Sequence, residues 1–168
     1  MTNKSFIESD KDLIKQWYYK NLPKDYFSAF TTLWIGFNAY YKRKFSGVNG
    51  DHNMVISLYT NEEYKTLFAN LMENKNFSKT VKDLKEELAH KPLIRMNNKD
   101  KYNISDEPNI EEVFEALYVV RNNLFHGDKE ITDERDEKIV KFSYQILKQF
   151  MKEIISRDFK IGSDRYDK

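Results

Sequence analysis

Seven consecutive residues in the last third of the chain, Arg121-Asn122-Asn123-Leu124-Phe125-His126-Gly127, set an arginine and a histidine five positions apart. Arginine is always charged, and its planar fork suits phosphate oxygens. Histidine titrates near neutral pH and can take or give a proton. Metal-free cleavage of RNA needs both: positive charge on the phosphate and a proton carrier. Asn122 sits four residues before His126 on a shared helical face, where an amide can fix which imidazole nitrogen holds the proton. The candidate catalytic residues are therefore Arg121, His126 and Asn122. The same stretch can equally close a helix, because basic side chains are favoured at a helix C-terminus and a histidine there commonly caps carbonyls. At ~100° per residue Arg121 and His126 project about 140° apart, so they would line one groove rather than touch. Four polar residues crowd this helix end with only Leu124 and Phe125 to anchor them, which favours a use beyond capping.

The elements that must carry this stretch are helical. From Ile110 the apolar residues Val113, Phe114, Leu117, Val120 and Leu124 recur at helical spacing, with Glu111, Glu112 and Glu115 in the first turns and Gly127 as the stop. Thr132 or Asp133 can cap a last long helix with Ile139, Phe142, Ile146, Phe150 and Ile154 inward. Upstream, Ser9 can cap a first helix through Leu13, Ile14, Trp17 and Tyr18. Pro23 can open a second, whose stripe runs from Tyr26 through Phe30, Leu33, Trp34 and Phe37 to Tyr41. A third pattern runs from about Asn53 to Met72, with a possible new start at Thr60 or Asn61, and a shorter amphipathic piece covers Phe77 to Leu88.

His90 to Asn109 breaks the period, although Leu93-Ile94 and Tyr102–Ile104 can pin it to the surface. Arg95, Lys99 and Lys101 there read as solvated charge that could also touch RNA. Arg157 to Lys168 reads as a fraying polar tail. The strand signal is weak throughout. The expectation is an all-α bundle of five or six helices, forming one domain over 1–168 with its core at about 9–156.

Composition narrows the function classes. The 28 basic and 27 acidic residues nearly cancel to a net charge of +1, which argues against bulk electrostatic coating of nucleic acid but leaves room for a local phosphate site. Aromatics at 15% call for a large, ring-rich core, and Trp34 and Phe37 belong to it rather than to a base-stacking platform. Asn38 among them needs a hydrogen-bond partner, either the motif helix or a backbone carbonyl. Without any cysteine, disulfides and thiolate metal sites are impossible. His52 and His90 stand isolated, with no metal-ligand spacing around them. The polar N-terminus and the lack of a long apolar run point to a cytoplasmic protein with no membrane association, no cofactor and no resident metal.

Arg-Asn-x-x-x-His resembles the R-x4–6-H motif of HEPN domains, and the wording Arg121 to Gly127 is similar to the branch ending in His-Gly. The stretch Leu33-Trp34-Ile35-Gly36-Phe37-Asn38-Ala39-Tyr40 resembles the aromatic N-terminal helix of that branch, so the likeness spans roughly Asp25 to Ile155 with His90–Asn109 as an insertion. The resemblance implies an antiparallel helical bundle that homodimerises and brings two motifs into one cleft. It implies a metal-independent endoribonuclease, in a phage-defence or toxin–antitoxin setting with an antitoxin or other protein partner. By that likeness His126 handles the 2′-hydroxyl or leaving-group proton, Arg121 binds the scissile phosphate, and Asn122 orients the pair. A toxin branch carries a tyrosine two residues after the histidine; here that position is Asp128, so nucleotidyl modification there is not implied. Other members are silent modules that bind RNA, a nucleotide or a protein partner, and a purely structural helical interaction protein is the remaining alternative.

With no cysteine and only scattered histidines, any RNA cleavage by this chain should survive EDTA. Cleavage lost in chelator and restored by magnesium would place the chemistry on carboxylates instead.

Overall fold

The computed structural model describes residues 6–20, 25–95, 99–125 and 134–159. These form α1 (Glu8–Tyr19), α2 (Tyr26–Lys44), α3 (Asp51–Thr60), α4 (Glu62–Glu73), α5 (Lys75–His90), β1 (Leu93–Ile94), β2 (Lys101–Tyr102), α6 (Ile110–Phe125) and α7 (Glu134–Phe159). The all-α expectation holds, with seven helices among the described residues rather than five or six. The additional one comes from Asn61, whose side chain accepts from the Glu63 N–H and starts α4 afresh after α3. Asp25 caps α2 through the Ser28 N–H, and Asn74 caps α5 through Asn76 and Phe77. Ser9 does not cap α1: the helix begins at Glu8 behind Ile7, whose apolar side chain makes no capping bond. Pro23, Gly127, Thr132 and Asp133 lie outside the described residues.

α6 is buried on every side from Val113 to Val120, which makes it the central element rather than a one-faced surface helix. One continuous cluster of buried side chains surrounds it, drawing on all seven helices and the hairpin. Its largest members are rings: Phe114 packs against Phe37 and Phe150, and Trp34 against Phe30, Phe37 and Tyr118. Trp34 and Phe37 are thus core, as expected. The irregular stretch folds back as an antiparallel hairpin, Leu93 opposite Tyr102 and Ile94 opposite Lys101, with Leu93 and Ile104 buried as its anchors.

α7 continues beyond the expected onset of the polar tail. Phe159 is buried, and Asp158 accepts from Tyr40 Oη at 2.5 Å and from Arg157 Nε at 2.7 Å, with Lys44 Nζ at 3.3 Å. Burial pushes the Asp158 carboxyl up, but the bonds from Arg157 and Tyr40 outweigh it and hold the group below the usual range. Among the described residues no helix is long and apolar enough to cross a membrane.

Gly36 sets how closely α1 approaches α2. A Cβ built there would lie 2.9 Å from Trp17 Cβ, an atom too near its own backbone to move alone. Gly36→Val should therefore push α1 outward and cost about 1–3 kcal/mol, read as a lower urea midpoint at unchanged m. An unchanged midpoint would show that α1 is free to shift.

Candidate functional site: a polar seam along the central helix

Arg121 and Asn122 occupy the last turns of α6, where burial gives way to partial exposure. Arg121 Nη1 donates to Asn122 Oδ1 at 2.8 Å and lies 3.8 Å from Asp51 Oδ2, leaving 24% of the arginine side chain exposed. The second distance is an ion pair longer than a hydrogen bond. Asn122 therefore acts on Arg121. Asn123 serves a different purpose: its Nδ2 donates to the Ile94 carbonyl at 3.1 Å and ties the hairpin to α6. His126 and Asp128 lie outside the described residues.

Asp51 reaches this place because of Gly50. Gly50 takes φ 92° as the residue before α3, a conformation open to glycine and costly for a side chain, so the chain can turn sharply out of the Ser46–Gly50 loop. Asp51 Oδ1 then accepts from Asn38 Nδ2 at 2.9 Å and from Tyr41 Oη at 2.8 Å. Asn38 thus finds neither α6 nor a backbone carbonyl, but a carboxylate that itself faces Arg121. Burial, reinforced by the bond to Asp51, pushes the Tyr41 phenol above its ordinary range.

His52 is not isolated. Its Nε2 lies 2.6 Å from Glu115 Oε1, and its ring stacks on Tyr118 with centroids 4.6 Å apart and planes 22° from parallel. Nor is Glu115 a solvated first-turn acid. It is buried within the apolar run of α6, where Tyr59 Oη donates to Oε1 at 2.8 Å and Arg95 Nη2 to Oε2 at 3.2 Å. Arg95, expected as solvated loop charge, is 14% exposed in its side chain and packs its guanidinium over Tyr102 and Tyr118. Arg121 also lies over Tyr118, so His52, Arg95 and Arg121 converge on one ring. The seam holds two arginines and a histidine against two carboxylates, which makes it nearly neutral as a whole.

Sequence reading missed His52 and Arg95 because their partners lie 63 and 20 residues away. One signal was available: Glu115 sits inside Val113-Phe114-Glu115-Ala116-Leu117-Tyr118, where a carboxylate must be buried and hence must find donors. Beside the seam, a pocket of about 490 Å³ including its mouth is lined by Phe27, Leu93, Val120 and Ile139, with Asn123 and Asp136 as its polar side chains. Among the described residues that lining offers no cation to a phosphate. Among the described residues no three His, Asp or Glu side chains converge as metal ligands would. No family model, curated protein or solved structure matches the chain.

Burial raises the phenols of Tyr59 and Tyr41 in the seam, and of Tyr40 and Tyr64 beyond it. A raised folded value means stability fully present below the unfolded phenol pKa of about 10 and lost as pH climbs toward the folded value. The urea midpoint should hold level up to about pH 10 and fall above it, more shallowly in Tyr41→Phe. A Tyr41→Phe midpoint that falls as steeply as wild type would show that Tyr41 ionises freely.

Proposed function

We propose that this chain is a HEPN-like, metal-independent endoribonuclease that acts as a homodimer. The observation that carries the reading is Arg121 itself: a guanidinium at the end of the buried central helix, oriented by Asn122 and Asp51 and partly open to solvent. That is the posture of a phosphate-binding arginine, and its fork suits two phosphate oxygens. The all-α fold supports the same reading, as does an aromatic α2 packed beside the motif helix. In this mechanism Arg121 holds the scissile phosphate and stabilises its developing charge. His126, next in sequence to the described end of α6, carries a proton to or from the reacting oxygens. The two-fold axis pairs two motifs in one cleft, with a protein partner such as an antitoxin as its regulator.

A second reading draws on Asp51. A carboxylate beside Arg121 competes with phosphate, which favours a catalytically silent module that binds RNA, a nucleotide or a protein.

Cleaved RNA should carry 2′,3′-cyclic phosphate ends, and a 2′-deoxy residue at the cut should block the reaction. His126→Ala should lose roughly 10²–10⁴-fold in rate. Arg121→Lys should fall well short of wild type, because an ammonium cannot reproduce the bidentate fork. A wild type that binds RNA and cuts nothing would establish the silent module.

A further inference from the structure

The seam contains a histidine–carboxylate dyad that the mechanism above leaves unused. Glu115 accepts from His52 Nε2, which makes Nδ1 the basic nitrogen of the neutral ring. Glu115 is itself fixed by Tyr59 and Arg95, so the imidazole is oriented from behind by a carboxylate with two other donors. A carboxylate so placed holds the ring in one tautomer and stabilises the imidazolium that forms when it takes a proton. The stack on Tyr118 fixes the ring plane, and 32% of the His52 side chain is open to solvent. The neighbouring residue, Asp51, contacts Arg121, and Arg121 lies over the same tyrosine ring. A proton acceptor and a guanidinium thus both lie against one tyrosine ring of one chain. A histidine used only to satisfy a buried glutamate needs neither the exposed ring nor the adjacent arginine.

We propose that His52, oriented by Glu115, is the general base that takes the 2′-hydroxyl proton of an RNA phosphodiester held by Arg121 of the same protomer. The proposal rests on the reading of Arg121 as a phosphate binder. In the step, the 2′-oxygen forms its bond to phosphorus while its proton passes to Nδ1 of His52. The bond from phosphorus to the 5′-oxygen breaks, and that oxygen takes a proton from solvent. The 2′,3′-cyclic phosphate and a free 5′-hydroxyl result, with no oxidant or metal required. Arg95 and Tyr59 are positioning residues that act through Glu115.

The test compares two substrates on the full-length chain: an RNA oligonucleotide, and uridine 3′-(4-nitrophenyl phosphate), whose leaving group departs without protonation. His52→Ala should lose roughly 10²–10⁴-fold in kcat on both substrates with little change in KM. Added imidazole should restore part of that loss, and His52→Asn should behave alike if the alanine variant is poorly folded. Glu115→Gln, which keeps an acceptor for Nε2 but loses the charge, should slow both substrates without responding to imidazole. His52 variants that cut RNA at the wild-type rate would overturn the assignment while leaving the proposed nuclease intact. So would a His52→Ala defect that vanishes with the activated leaving group, since that would make His52 the acid. A wild type that turns over neither substrate would overturn this assignment and the nuclease reading together.

Discussion

A carboxylate within a buried stretch of helix is expensive unless donors surround it, and Glu115 lies inside the buried run Val113 to Val120 of α6. Removing such a charge from water costs several kcal/mol even after relaxation, roughly, and the cost is recovered only with good geometry and saturated hydrogen bonding. Glu115 meets the condition with three donors from two parts of the chain: His52 and Tyr59 on α3, and Arg95 just after β1. Satisfying this one group therefore fixes how α3 lies along α6 and why the hairpin folds back instead of trailing into solvent. Asn123 adds the second tie between the hairpin and α6.

Behind the seam the support is aromatic. Tyr118 offers His52 one ring contact and meets Trp34 on its inner side, and Trp34 leads through Phe37 to Phe114 and Phe150. Rings are rigid and bring large area with few rotatable bonds, so a polar group seated on them is held by packing as well as by hydrogen bonds. At another junction of the core, α7 is tied to α2 and α4 by a comparable device, Asp158 with Tyr40, Lys44 and Arg157, and Tyr40 with Tyr64 at 2.6 Å. In both places tyrosine is the bridge: its ring belongs to the core and its hydroxyl reaches a carboxylate. This accounts for a core rich in tyrosine rather than phenylalanine alone.

The charge balance of the chain is mirrored locally. Arg95 pairs with Glu115 and Arg121 with Asp51, so the seam is not a basic patch that draws nucleic acid from a distance. What it offers is a short list of oriented groups. Phosphate held there would exchange with Asp51 for the Arg121 fork, which ties affinity to geometry rather than to net charge.

Helix positions and the apolar faces were legible in the sequence because they are local. Of the caps only Asn61 was read; Ser9 proved not to be one, and Asp25 and Asn74 went unread although they too act locally. Turning 100° per residue, a helix writes its buried face into the spacing of its own residues, and Asn61, Asn74 and Asp25 cap donors two or three positions away. Arg121 and Asn122 were legible for the same reason, as neighbours at the end of one apolar stripe. The extra helix start at Asn61 was readable as a possibility, and only the structure decided it. His52, Arg95 and the burial of Glu115 were not local facts. Their pairing depends on which helix lies against which and at what depth, and no spacing within one segment encodes that. Sequence determined that α6 carries an apolar stripe but could not say who would meet Glu115 within it. Tertiary packing decided it, because a buried charge takes its partners from whatever part of the chain the core brings within hydrogen-bonding distance.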